Sequence, residues 1–128
     1  MLPMLRRRLL RVACFGALAA CAGLSVAAPS AHEQARIERL IRHVETQKGI
    51  VFIRNGTEYG GDEAARFLRG KMDTMGADVN SARDFIERIA TRSSTTGKAY
   101  QVRLSDGRVI PAAQFLSDEL KRLDAHPI

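Results

Sequence analysis

Cysteine is nearly absent, and the two that occur, Cys14 and Cys21, both lie in the first 21 of 128 residues. A disulfide-stapled scaffold is therefore excluded, and beyond residue 21 so are a thiolate nucleophile and a cysteine-ligated metal. Tryptophan is missing and aromatics reach only 5%, too sparse for a platform that stacks nucleic-acid bases. The three histidines, His32, His43 and His126, are dispersed and form no HExxH or i, i+4 pair, so no metal-ligand set can be read and no cofactor is expected. No G-x-S-x-G is present, which leaves the serines without a nucleophile-elbow setting. Repeats, heptads and low-complexity tracts are also lacking. What remains is 45% hydrophobic and 27% charged, a globular composition, at a length that allows one domain.

Acid is missing from the start of the chain: none precedes Glu33, whereas Arg6, Arg7, Arg8 and Arg11 crowd the beginning. From Val12 to Ala28 run 17 uncharged residues, rich in Ala, Leu, Val and Gly. A cationic start, an apolar stretch and small residues after it are the pattern of a secretory signal peptide. Ser25-Val26-Ala27 offers small residues where signal peptidase reads, predicting cleavage after Ala27 and a single domain over 28–128. A competing pattern is Leu18-Ala19-Ala20-Cys21, which resembles a bacterial lipobox and would make Cys21 a lipidated first residue. The whole chain carries 20 basic and 14 acidic side chains, net +6. Without the four leading arginines the balance is 16 to 14, so the basicity belongs to the export signal and implies no nucleic-acid partner.

The remainder reads as helices and short strands. Ser30 and Glu33 have capping-box spacing before Ile37, Leu40, Ile41 and Val44, one stripe of an amphipathic helix. Gly49 ends it, and Ile50 to Ile53 is a β-branched and aromatic strand. Asn55-Gly56 predicts a hairpin turn, with Thr57-Glu58-Tyr59 as a short returning partner. Asp62 to Met75 is expected as a second helix, burying Ala65, Leu68, Met72 and Met75, with Phe67 on the rim. Ser81 and Asp84 cap a third helix with apolar Phe85, Ile86 and Ile89. Tyr100, Val102 and Leu104 alternate with polar residues as a strand does, Ser105 to Arg108 turns into Val109-Ile110, and Pro111 suits the first turn of a last helix. The expected fold is α+β: about four helices on a short, mainly antiparallel sheet.

Two polar clusters stand out. One is Arg54, Asn55, Glu58 and Tyr59, followed by Arg66, Arg69 and Lys71. The other runs from Arg92 through Ser93, Ser94 and Lys98 to Tyr100. Brought together on one face, they would form a cationic, hydroxyl-rich surface for a carboxylate, phosphate or sugar acid. The plainer reading makes them turn residues, ring packing and solvated helix surface. The stretch Ser93 to Lys98 superficially resembles a phosphate loop, but it lacks the first glycine and has Ala99 where Ser or Thr should hold Mg²⁺.

The run Phe52 to Tyr59, then Glu63-Ala64-Ala65, Leu68-Arg69 and Lys71, resembles the YfeK-like family of small exported bacterial proteins. Asp84-Phe85-Ile86, Ser93-Ser94, Gly97-Lys98, Tyr100 and the Pro111 to Leu123 segment extend the resemblance over about residues 33–124. Departures are Phe67, where the family commonly has His, Ala99, where Pro often follows Gly-Lys, and Phe115, where Trp is frequent. The resemblance implies a periplasmic protein of uncharacterised function and supplies no catalytic residues. Three expectations follow from the residues and the resemblance together. The first is a non-enzymatic periplasmic module that binds an envelope protein or a small anionic ligand. The second is a small envelope hydrolase using Ser94 or Glu58 with a histidine. The third is a lipid-anchored envelope protein attached through Cys21.

Overall fold

A computed structural model of the chain describes residues 29–126. The expected signal peptide, with Cys14, Cys21 and the cleavage position after Ala27, lies outside the described residues. Helix α1 (Ala31–Thr46) begins where expected: Ser30 Oγ accepts from the Glu33 N–H at 3.2 Å, and Ile37, Leu40, Ile41 and Val44 are buried. The other arm of the capping box goes elsewhere. Glu33 Oε1 accepts from the Ala82 N–H at 2.8 Å, so the carboxylate caps a different helix.

Strands β1 (Val51–Arg54) and β2 (Thr57–Tyr59) form the Asn55-Gly56 hairpin. Asn55 and Gly56 have φ of 51° and 80°, the doubly positive turn that matches strand twist and that Asn-Gly adopts with little strain. Helix α2 (Gly61–Met75) and α3 (Ala82–Arg88) follow, then β3 (Gln101–Arg103), β4 (Val109–Pro111) and α4 (Ala112–Ala125). The sheet order is β2-β1-β3-β4, with every neighbouring pair antiparallel. The fold is a small α+β domain with four helices. Pro111 differs slightly from expectation, ending β4 and acting as N-cap of α4 rather than entering its first turn.

One row of side chains explains how sheet and helices join. Tyr59 pairs with Phe52, Phe52 with Val102, and Val102 with Ile110. Paired residues share a face, so this row crosses all four strands, with Phe52 and Val102 fully buried and Tyr59 and Ile110 packed against the core. Helix α1 packs against α2, α3 and α4. Its Leu40 and Val44 meet a core that includes Leu68, Phe85, Ile89 and Leu116. Among the described residues no helix is long and apolar enough to cross a membrane.

The second helix departs from the expected stripe. Ala64, Ala65, Leu68 and Lys71 are its buried residues, whereas Met75 is 51% exposed. Ala64, Leu68 and Lys71 recur at i, i+4 and i+7, a true helical face. Met75 would continue that face, but it is the last residue of the helix.

Candidate functional site

Strand alternation sorts the first polar cluster. Arg54 lies two residues from Phe52 and so shares its face, toward the helices, while Glu58 lies between Thr57 and Tyr59 and points to the opposite face. There Glu58 makes a two-pronged ion pair with Arg103, at 2.8 and 2.9 Å. Hydrogen bonding and charge from Arg103 hold the Glu58 carboxyl below its usual range. Glu58 is therefore not part of the same site as Arg54.

Helix α2 sorts the second set. Arg69 is two residues from Lys71, about 200° around the helix, and turns to Glu38 and Glu45 on α1. Lys71 instead points inward. Its Nζ donates to the Arg92 carbonyl at 2.8 Å and to the Tyr100 hydroxyl at 2.9 Å. Burial pushes the Lys71 pKa down, and the nearby Arg54 charge pushes it further. Burial likewise raises the Tyr100 phenol, against a smaller opposing effect of Arg54.

The 92–100 loop is held by its own backbone and by Asn55. Ser93 N–H donates to the Lys98 carbonyl and Gly97 N–H to that of Ser93, each at 2.9 Å. Asn55 Nδ2 donates to Ser93 Oγ at 3.3 Å, while its Oδ1 accepts from Thr96 Oγ1 at 2.6 Å. The hairpin turn and the loop are thus clamped by one amide using both its ends, which a carboxylate could not do. Ser93 is buried and its hydroxyl also accepts from the Thr95 and Thr96 N–H groups, so it is committed to the loop. Lys98 is exposed and its backbone N–H donates to Thr96 Oγ1.

The two segments meet around an open cleft of about 380 Å³ lined by Arg54, Phe67, Lys71, Ser94, Tyr100 and neighbours on α2 and the loop. Phe67 supplies its inner wall. The Arg54 guanidinium lies 4.2 Å from the Phe67 ring centroid, and Phe67 meets Tyr100 edge-on at 5.6 Å and 88°. A second cavity, of about 210 Å³, shares Arg54 and Phe67 and reaches Tyr59 and Arg66. Of the residues singled out from the sequence, the cleft gathers Arg54, Lys71, Ser93, Ser94 and Tyr100. Asn55 braces it, Tyr59 and Arg66 lie in the adjoining cavity, and Glu58, Arg69 and Lys98 are elsewhere.

Charge distinguishes this cleft. No carboxylate lines it, and among the described residues none lies within 4.0 Å of Arg54 or Lys71. Lys71 has three donors and two acceptors. Tyr100 accepts from Lys71 and keeps its own hydrogen to give, and Arg54 has no protein acceptor among the described residues. By contrast, cavities between α1 and α4 mix Arg36, Arg39, Arg42 and Arg122 with Asp124, Glu38 and Glu119, and several of these are ion-paired.

Among the described residues no histidine is bonded to Ser94 or Glu58. His43 stacks on Phe115 at 4.9 Å and lies 3.8 Å from Glu119, while His32 and His126 line a cavity between α1 and α4. Ser94 Oγ donates toward the sulfur of Met75 at 3.4 Å. No group of three metal-ligating side chains occurs among the described residues. Sequence reasoning missed Phe67, Gly70, Thr74 and Met75 as lining residues; the available signal was their i, i+3, i+7 and i+8 spacing on α2, the same edge that carries Lys71.

The model of a family of unknown function (DUF5329) matches residues 31–124. The chain is also 37% identical over 71 residues to a protein of Salmonella typhimurium (strain LT2) described as "Uncharacterized protein YfeK". That alignment covers 56% of this chain and 59% of the relative. The chain thus spans less than two thirds of that relative's length. No solved structure matches.

Proposed function

The chain belongs to the family of unknown function DUF5329, and we propose that this member is an exported, periplasmic module that binds a small anion in the Arg54–Lys71 cleft without performing chemistry on it. Lys71 is the observation that carries this reading. Its ammonium is buried, lacks a carboxylate among the described residues, and sits beside a second unpaired cation. Such an arrangement is costly as it stands, because both charges are partly desolvated and repel each other. A carboxylate, phosphate or sugar acid placed between them relieves the repulsion and accepts the free donors of Arg54, Lys71 and Tyr100. Charge-assisted bonds of that kind are about twice as strong as neutral ones.

Export is supported by the sequence: four arginines, 17 uncharged residues and Ser25-Val26-Ala27. Intact-mass measurement of the protein from the cell envelope tests it. A chain beginning at Ala28 is expected; a lipidated chain beginning at Cys21 would move the protein to a membrane surface, and full-length cytosolic protein would contradict export.

The binding reading is tested by thermal denaturation with acetate or phosphate at constant ionic strength. At ten times Kd, a ligand specific for the folded state adds about 1.4 kcal/mol, raising the Tm of a domain this size by about 6 °C. Arg54→Gln and Lys71→Met should abolish that rise. Equal stabilisation of wild type and both variants would refute the site.

A further inference from the structure

Gly70 stands in the middle of α2, where glycine is a poor helix former. Nothing in the fold requires it. It has no positive φ, and a Cβ built on it meets no atom within 4 Å. Gly70 does line the cleft, between Phe67 one turn before it and Thr74 and Met75 one turn after. A glycine at this place leaves a bare stretch of helix backbone as the cleft floor, and any larger residue would fill it.

The walls around that floor are apolar and aromatic. Phe67 stands on one side, with Tyr100 edge-on to it at 5.6 Å. On the other side is the Met75 thioether, 51% exposed and one of only two large hydrophobic side chains exposed to that degree among the described residues. An unbranched, polarizable thioether at a cleft rim is suited to an aromatic ring, which it meets favourably at about 5 Å. Arg54, Lys71 and Tyr100 line the same cleft as Gly70, and the Lys71 ammonium donates to the Tyr100 hydroxyl at 2.9 Å.

We propose that the anion taken by this cleft is an aromatic carboxylate, with its carboxylate held by Arg54, Lys71 and the Tyr100 hydroxyl and its ring laid over Gly70 between Phe67 and Met75. This rests on the anion-binding reading of the same cleft and adds the body of the ligand to its charge. A cleft of about 380 Å³ lies at the small end of the range for small-molecule sites, in keeping with a single ring bearing one acid group. The Arg54 guanidinium lies 4.2 Å from the Phe67 ring centroid, and its fork of donors matches the two oxygens of a carboxylate.

The experiment is calorimetric titration of the purified protein with benzoate, cyclohexanecarboxylate and acetate at one ionic strength. Benzoate is expected to bind about tenfold or more tightly than acetate, because ring burial adds to the same ionic contacts, and more tightly than its non-planar analogue. Gly70→Leu should reduce benzoate binding at least about tenfold and acetate binding much less, so that the preference for benzoate is lost. Met75→Ala, at an exposed position that cannot threaten the core, should weaken benzoate binding several-fold and acetate binding not at all. Benzoate binding no tighter than acetate, or unchanged in both variants, overturns the aromatic ligand while leaving the anion site intact. Benzoate and acetate binding that both survive Arg54→Gln overturns the anion site itself.

Discussion

Replacing Glu33 by alanine should uncouple the start of α1 from the start of α3 and loosen its tie to the end of α4. One carboxylate oxygen accepts from the Ala82 N–H at 2.8 Å and the other from Arg36 at 2.7 Å; Arg36 continues to Asp124 on α4. Ala82 opens α3, and its N–H is one of the donors a helix cannot satisfy internally. Loss of a helix cap costs typically about 1 kcal/mol, and a hydrogen bond to a charged group about 1.5–3. The Arg36 pair, partly exposed, adds a fraction of a kcal/mol. We therefore expect Glu33→Ala to cost about 2 kcal/mol, equivalent to a Tm about 8–10 °C lower in a domain of this size. Glu33→Gln keeps an acceptor for Ala82 and should lose about half as much. Burial alone would raise the Glu33 pKa, but the Ala82 N–H and Arg36 outweigh it and the net shift is downward from 4.5. The difference between wild type and Glu33→Gln should then be full above pH 4.5 and fade as the pH falls through the lowered value. Denaturant unfolding with amide exchange at Ala82 reads all three effects. A loss below about 0.5 kcal/mol, with Ala82 exchange unchanged, would refute the cap.

Other consequences are as direct. Leu68 is fully buried at the centre of the core, so Leu68→Ala should cost about 2–5 kcal/mol in denaturant unfolding. Gly61→Ala places a Cβ 2.6 Å from the Val44 carbonyl oxygen and should lower the Tm, whereas Gly70→Ala should leave it equal or raise it by the helix-propensity gain. Burial holds the His43 pKa below 6.5, with Arg122 adding to the effect and Glu119 opposing it. Its unfolded form binds protons first, so stability should begin to fall as the pH drops below 6.5, and His43→Gln should flatten that part of the profile.

Local rules were legible where one interaction decides the outcome. Asn55-Gly56 makes the turn its φ preferences demand, Ser30 and Ser81 cap as their spacing predicts, and α1 buries the expected Ile37, Leu40, Ile41 and Val44. The second helix was harder, because its hydrophobic count favours Met72 and Met75 while the fold buries Lys71. A lysine is a poor guess for a core position until a carbonyl and a phenol are known to receive it. Those groups, Arg92 and Tyr100, come from more than twenty residues away. Glu33 illustrates the same limit, since its local partner was readable and its actual one, Ala82, is 49 residues distant. Within the candidate site, the joining of the hairpin and the loop depends on Asn55 reaching Ser93 and Thr96, and the exclusion of Glu58 and Arg69 depends on strand and helix periodicity. Lys98 could not be separated from Lys71 by charge alone; only the register of the loop turns it to solvent.

The site is tested most directly by mapping backbone amide shifts while phosphate or acetate is titrated into the protein. Perturbations that saturate together at Asn55, Gly70, Lys71, Ser94 and Tyr100, and vanish in Lys71→Met, are the predicted outcome. Shifts confined to Arg39, Arg42 and Arg122 along α1 and α4, or the same pattern in the variant, would contradict it.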